Sequence, residues 1–306
     1  MSSSLRSIHV VAGVITDARG RILLNRREGN RDLVGLWEFP GGKREPGETS
    51  EQALARELRE ELGIEADIGP WLMEVPQLYP DKRLRLEVRQ ISSWKGTPRG
   101  REGQAIMWVT PEKLERYSMP PADLPVVARL RQPAYCWFAP ADTHADMLPA
   151  LLEWALAHGP GRVVLPASAV QGDVQQLSAL LARHSRQLQA LIHDDIGCAQ
   201  ALGVGVHLSP KSLLQCAERP VAAGTLVAAS CEHASGLAQA HALGCDFAVF
   251  GPVDTAIAAA ADWERFERCR EHVGIPMYAG VGSADVTLEQ AWRYGAHGLA
   301  ASLPAL

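Results

Sequence analysis

Three glutamates, Glu57, Glu60 and Glu61, stand at the spacing that places side chains within one turn on one face of a helix. Like charges so close repel and cost helix stability, so the arrangement calls for a cation. Hard divalent ions take oxygen ligands, and Mg2+ in particular is shared between carboxylates and substrate phosphates. The triplet therefore reads as a platform for a metal ion and a pyrophosphate. The alternative is a solvated acidic face neutralised by Arg56 and Arg59.

The helix that must carry these residues has its start and stop written in the chain. Thr49-Ser50-Glu51-Gln52 has a hydroxyl residue three positions before a carboxamide, the signature of a capping box, and alternating Ala, Leu, Glu and Arg run from there to Gly63. Ahead of it, apolar β-branched runs at 8–15 and 21–24 flank the turn-rich Thr16-Asp17-Ala18-Arg19-Gly20, which predicts a hairpin. Strand-like segments at 71–79, 83–94 and 107–109 precede 111–117 and a helical stretch at 125–131. Strands and helices mixed in this way predict an α+β domain.

The 306 residues, 47% of them hydrophobic and 21% charged, exceed one small domain and predict two. The pattern changes around Gln132-Pro133-Ala134, giving domains at 1–132 and 133–306. Residues 1–132 hold 21 Lys and Arg against 19 Asp and Glu, whereas 133–306 hold 9 against 16. A mildly basic first half suits a phosphorylated small molecule, and without a basic run it argues against a nucleic-acid polymer as partner. No apolar stretch has the length of a membrane span and no cleavable leader is evident, so no membrane partner and a cytoplasmic location are expected. All six cysteines lie in the second half without a C-x-x-C pair and read as reduced, mostly buried residues. Oligomeric state is left open.

The second half alternates eight short apolar runs, at 135–138, 162–165, 189–192, 204–207, 225–229, 247–250, 277–279 and 298–301, with helix-length segments. Eight such units in so short a chain predict a compact (β/α)8 TIM barrel whose ligands sit at the C-terminal ends of the strands.

Gly42, Glu48, Arg56-Glu57-Leu58, Glu60-Glu61 and Gly63-Ile64 fill every fixed position of G-x5-E-x7-R-E-U-x-E-E-x-G-U, the Nudix box. Residues 7–132 resemble the MutT branch of the Nudix family, the 8-oxo-dGTP pyrophosphohydrolases. Trp37-Glu38-Phe39-Pro40-Gly41-Gly42-Lys43 is similar to its E-F-P-G-G-K entry, Arg101-Glu102-Gly103-Gln104 to its K-E-G-Q, and Pro120-Pro121-Ala122-Asp123-Leu124-Pro125-Val126-Val127 to its P-P-A-N-x-P-V-I. The resemblance implies a mixed sheet sandwiched by helices. It implies Mg2+, or Mn2+ in its place, held by Glu57, Glu60, Glu61, Glu102 and the Gly42 carbonyl. Glu57, Glu60 and Glu61 would form the catalytic set, and Glu48 and Arg56 would support the loop and helix. Arg27, Phe39 and Asp123 would meet the nucleotide, Arg27 at phosphate or sugar. Asp123 replaces the branch's base-reading asparagine; an ionised carboxylate only accepts hydrogen bonds, so it would face the O6 acceptor of 8-oxoguanine unless protonated. Capping of the 125–131 helix is its other reading.

From about Tyr135 onward the chain is similar to the thiamine-phosphate synthase/TenI superfamily. Val206-His207-Leu208-Ser209, Ala229-Ser230-Cys231-Glu232, Val249-Phe250-Gly251-Pro252-Val253 and Ala279-Gly280-Val281-Gly282 match its strand ends. Its basic cradle is missing: Val164, Pro166 and Ser168 stand in place of Q-x-R-x-K, and Lys211 and Ser212 in place of an acidic pair. Asp194 and Ser230 remain. The candidate barrel-mouth residues are Asp194, His207, Ser230, Glu232, Gly280 and Gly282, with the glycines offering N–H groups to a phosphorylated ligand. Glu232 would act as acid or base or be a charged loop residue, and His207 a strand-end structural histidine.

Three readings follow. One is a Nudix hydrolase of an oxidised nucleoside triphosphate with a barrel that binds a phosphorylated ligand or is structural. A second is a thiamine-metabolism fusion hydrolysing a thiamine-related pyrophosphate, with thiazole tautomerase or synthase activity in the barrel. The third makes the barrel a non-catalytic sensor that regulates the hydrolase.

Overall fold

A computed structural model describes residues 5–28, 33–170, 174–251, 253, 260–281 and 286–304. The chain divides into two compact units, with Arg131 ending the first continuous stretch and Gln132 opening the second.

In the first unit, β1 (Arg6–Ile15) runs parallel to β6 (Lys82–Lys95) over its whole length, from Arg6 opposite Lys82 to Ile15 opposite Ile91. Its other edge takes β4 (Gly41–Lys43) antiparallel, and β5 (Glu65–Leu78) closes the order β4-β1-β6-β5. A second, antiparallel sheet has the order β3-β2-β7, from β2 (Ile22–Arg26), β3 (Trp37–Glu38) and β7 (Ile106–Val109). The short β3 and β4 come from residues to which the sequence pattern assigns no strand. β5 reaches back to Glu65, before the predicted start at 71, because register shifts between Asp67 and Met73 absorb Gly69-Pro70 inside a paired strand.

Helix α1 (Ser50–Leu62) carries the Nudix-box acids. Its N-cap Thr49 accepts from Gln52 N while the Gln52 side chain accepts from Thr49 N, so the predicted capping box is complete. Gly63 ends the helix in the left-handed conformation, φ 68°, donating its N–H to the Arg59 and Leu58 carbonyls. Ala53, Leu54, Leu58 and Leu62 are fully buried against Val11, Ile15, Leu23, Ile64 and Ile91. Each leucine contributes about 1.5–3 kcal/mol by leaving water. That apolar stripe fixes the rotation of α1 and turns Glu57 to the other side. Helix α2 (Leu124–Arg131) buries Val126 and Val127 in a second core with Val14, Leu24, Met73 and Val88.

The second unit is a closed barrel of eight parallel strands: β8 (Tyr135–Phe138), β9 (Gly161–Leu165), β10 (Leu188–His193), β11 (Gly205–Leu208), β12 (Val227–Cys231), β13 (Phe247–Phe250), β14 (Met277–Gly280) and β15 (Gly298–Ser302). Between them lie α3 (Leu148–Ala157), α4 (Val174–His184), α5 (Ile196–Leu202), α6 (Pro210–Gln215), α7 (Ala234–Ala242), α8 (Ala260–Arg270) and α9 (Leu288–Arg293). Each expected strand is found within a few residues of its predicted span. Alternate residues fill the interior, among them Cys136, Val164, Leu191, Ala228, Phe247, Val249, Tyr278 and Ala300. All six cysteines are free, and burial pushes the Cys136, Cys231 and Cys245 thiols up to about 12. Among the described residues no helix is long and apolar enough to cross a membrane.

Candidate active site

Arg56 organises the acids of α1. Its guanidinium donates through Nε and Nη2 to the two Glu48 oxygens at 2.8 and 3.0 Å, to the Lys43 carbonyl at 3.1 Å, and through Nη1 to Glu57 at 2.9 Å and Glu60 at 3.3 Å. Glu48 also accepts from Glu45 N at 3.0 Å. One planar fork thus ties the loop after β4 to the helix. These bonds hold the Glu48 carboxyl well below its usual range, at about 2, with Arg56 the larger cause and Glu45 N–H the next. Its stabilising effect is complete above its ordinary 4.5 and disappears as pH falls towards 2. Glu48→Gln is therefore expected to lower Tm at pH 7, with the gap to wild type closing between about pH 4.5 and 2 in a series of thermal melts.

Glu57 is half-buried, and desolvation raises its pKa against the opposing pull of Arg56, with further upward pressure from the charges of Glu60 and Glu102. Gly42 lies directly against it: a Cβ at position 42 would sit 2.2–2.3 Å from the Glu57 carboxylate. Only the end of a flexible side chain would have to yield, so Gly42→Ala should fold normally, with an unchanged melt, yet lose about ten-fold or more in kcat as the carboxylate is displaced.

The segment after β6 is pinned to the end of α1. Arg101 N donates to the Glu61 carbonyl at 2.9 Å, Gln104 Nε2 to the same oxygen at 3.1 Å, and Glu102 N to Gln104 Oε1 at 2.8 Å. Gln104, itself buried, thereby positions Glu102 relative to Glu61.

These elements surround a cleft of about 1170 Å3 lined by Gly42, Glu57, Glu61 and Glu102 and, on its other walls, by Arg27, Phe39 and Asp123. Glu60 is not among its walls. Its side chain is 57% exposed and paired with Arg56, so the helix phase that groups it with Glu57 and Glu61 brings the latter two to the cleft and leaves Glu60 outside. Glu61 is 3% exposed. Among the described residues no three acids close on one point as they stand; unneutralised carboxylates repel, and Arg56 holds Glu57 and Glu60. The donors that face the cleft are carboxylates and a carbonyl, which suits a hard divalent ion.

Arg27, just past the end of β2, pairs with Glu38 of β3. Asp123 is 6% exposed and accepts from Phe39 N at 3.4 Å. Burial, assisted by the negative charge of Glu38, pushes its carboxyl up to about 8 against the pull of the Phe39 N–H and Arg27. That shift favours the neutral carboxyl, and Asp123 faces the cleft. Two cleft residues escape sequence reasoning. Glu38 appears only as part of the E-F-P-G-G-K likeness, and Tyr79, whose hydroxyl burial pushes up to about 12, sits in the β5–β6 turn with no motif around it.

In the barrel, Asp194, His207 and Ser230 gather at the C-terminal ends of neighbouring strands. His207 is fully buried with its Nε2 3.1 Å from Ser230 Oγ, and Asp194 accepts from Ser209 N at 2.7 Å. Gly280 is buried at the end of β14. Glu232 is exposed, its carbonyl accepting from Arg265. Gly282 lies outside the described residues.

A mixed-sheet domain whose capped helix turns acids into a cleft, joined to an eight-stranded parallel barrel, defines a two-domain hydrolase with an appended TIM barrel. Residues 11–129 match the family described as NUDIX domain, and residues 136–303 that described as thiamine monophosphate synthase. The chain belongs to the Nudix hydrolases, of the MutT type, through its first domain and to the thiamine monophosphate synthase/TenI family through its second. It is 42% identical over 123 residues to the Escherichia coli CTP pyrophosphohydrolase, covering 40% of this chain and 90% of that protein. Over 124 residues it is 43% identical to the Haemophilus influenzae 8-oxo-dGTP diphosphatase, covering 40% and 90%. The Escherichia coli 8-oxo-dGTP diphosphatase is 34% identical over 128 residues, covering 42% and 99%.

Proposed function

We propose that the first domain hydrolyses a nucleoside triphosphate to the monophosphate and pyrophosphate, with Mg2+ as its ion. The observation that carries this is the single cleft that has Glu57, Glu61, Glu102 and Gly42 on its walls together with Arg27, Phe39 and Asp123. Glu57, Glu61, Glu102 and the Gly42 carbonyl would hold the metal, with Glu60 as a ligand only on leaving Arg56. When bound, the ion neutralises phosphate oxygens and lowers the pKa of water. Arg56 and Glu48 hold the loop and helix in place, Gln104 positions Glu102, and Glu57, half-buried and near other negative charge, is suited to orient the water or accept its proton.

The protonated Asp123 selects the base. A neutral carboxyl presents a donor and an acceptor side by side. The O6 acceptor and N7–H donor of 8-oxoguanine match that pair, as do the N3 acceptor and N4–H2 donor of cytosine. The N7 and O6 of unmodified guanine are both acceptors and leave the carboxyl oxygen opposed. Both bases occur in the substrates that the relatives' names carry, and the reading predicts turnover of 8-oxo-dGTP and CTP by this chain with discrimination against dGTP. The test is kcat/KM for pyrophosphate release from 8-oxo-dGTP, CTP, dGTP and ADP-ribose with Mg2+. Equal, negligible turnover of the first two would remove the assignment.

For the barrel we infer a ligand-binding role separate from synthase chemistry. Arg162 does not replace the missing cradle: it is buried in the barrel interior, its guanidinium 4.2 Å above the Phe247 ring and donating to Tyr278 Oη.

A further inference from the structure

Register brings together two histidines that are fourteen positions apart in sequence. His193 ends β10 directly opposite His207 of β11, and their Nδ1 atoms lie 2.8 Å apart. The rings stack with centroids 5.0 Å apart at 24°, and Phe138 packs edge-on against His207 with centroids 5.0 Å apart. On the far side of His207, Nε2 lies 3.1 Å from Ser230 Oγ on β12. The His193 side chain is 40% exposed, and its Nε2 lies 3.7 Å from Asp194. His193, unlike His207 and Ser230, is not singled out by any sequence pattern.

We propose that His193, His207 and Ser230 form a second reactive centre at the barrel mouth, a proton relay that activates the Ser230 hydroxyl to attack a small ester or thioester carrying no phosphate.

Burial holds His207 neutral, its pKa down at about 3, so it carries one N–H. With that proton on Nδ1, donated to His193, Nε2 is free to accept from the Ser230 hydroxyl. As Ser230 Oγ bonds to the carbonyl carbon, its proton passes to His207 Nε2 while the Nδ1 proton passes to His193. Positive charge then rests on the half-exposed ring beside Asp194, and buried His207 never carries it. Collapse of the tetrahedral adduct breaks the bond to the alcohol or thiol, which takes a proton back along the same path. Water then attacks the acyl-serine and is deprotonated in the same way, releasing the acid and restoring Ser230. Among the described residues at these strand ends, the acidic Asp194 and Glu232 offset the basic Lys211, and Arg265 is engaged by the Glu232 carbonyl and the His233 ring, so these side chains form no basic cradle for a phosphate.

The test is reaction of the full-length chain with a fluorophosphonate reagent, followed by peptide mass spectrometry. Attack breaks the P–F bond, forms an O–P bond at Ser230 and expels fluoride. An adduct at Ser230 is expected, formed about 10²-fold more slowly in His207→Gln and about ten-fold more slowly in His193→Gln, with pyrophosphate release unchanged in both. His193 is partly exposed, so its variant decides the matter should His207→Gln fail the accompanying melt. No adduct at Ser230, or a rate unchanged in His193→Gln, overturns the relay.

Discussion

Replacing Glu57 by Gln is expected to cut kcat by at least about 10²-fold while leaving the melting temperature close to wild type. The substitution keeps the size of the side chain, the bond from Arg56 and the packing of α1, whose stability rests on Ala53, Leu54, Leu58 and Leu62 on the other face. It removes one negative oxygen from the set facing the cleft, so the loss falls on the transition state. Steady-state kinetics with the best nucleotide, alongside a thermal melt, separates the two effects. A near-wild-type kcat would show that Glu57 is only a partner for Arg56.

The second large effect belongs to Asp123. Changing it to Leu leaves the base edge without either hydrogen bond, and the preference for 8-oxo-dGTP over dGTP should fall by about 10²-fold. Asp123→Asn should retain discrimination, since an amide offers the same adjacent donor and acceptor. The two differ in pH dependence. With the Asp123 pKa near 8, the protonated form shrinks above that pH, so the ratio of kcat/KM for CTP in the Asn variant to that in wild type should rise about ten-fold by pH 9. Taking the ratio cancels any pH dependence of the chemical step. Stability carries the same signature. Because the folded pKa is raised, Asp123 favours folding below its ordinary value of 3.8, and that contribution is lost as pH climbs towards 8. The Tm of the Asn variant relative to wild type should therefore increase across this window and level off above it. A flat ratio and a flat Tm difference would mean that Asp123 is ionised throughout.

These residues also show what a sequence can display. Helix α1 was legible to its ends because its signals are local: a capping box at Thr49 and a left-handed glycine at 63. The barrel strands were legible because each is a short apolar run between helices. β4 was not, since Gly41–Lys43 becomes a strand only by pairing with Val10, Val11 and Ala12. Glu60 shows the limit of helical phase. Spacing groups it with Glu57 and Glu61, but its side chain is paired with the Arg56 guanidinium on the solvent side. The state of Asp123 depends on burial, which no motif encodes, and His193 meets His207 only through the register of β10 and β11.

The central claim is that the acids of α1 and Glu102 serve a divalent ion in cleaving a phosphoanhydride. Chromatographic resolution of the products from CTP and 8-oxo-dGTP, with Mg2+ and again after its removal by EDTA, tests it most directly. Monophosphate and pyrophosphate formed in equal amounts, and only with the metal, are the predicted result. Diphosphate with inorganic phosphate, or the same rate without metal, would contradict it.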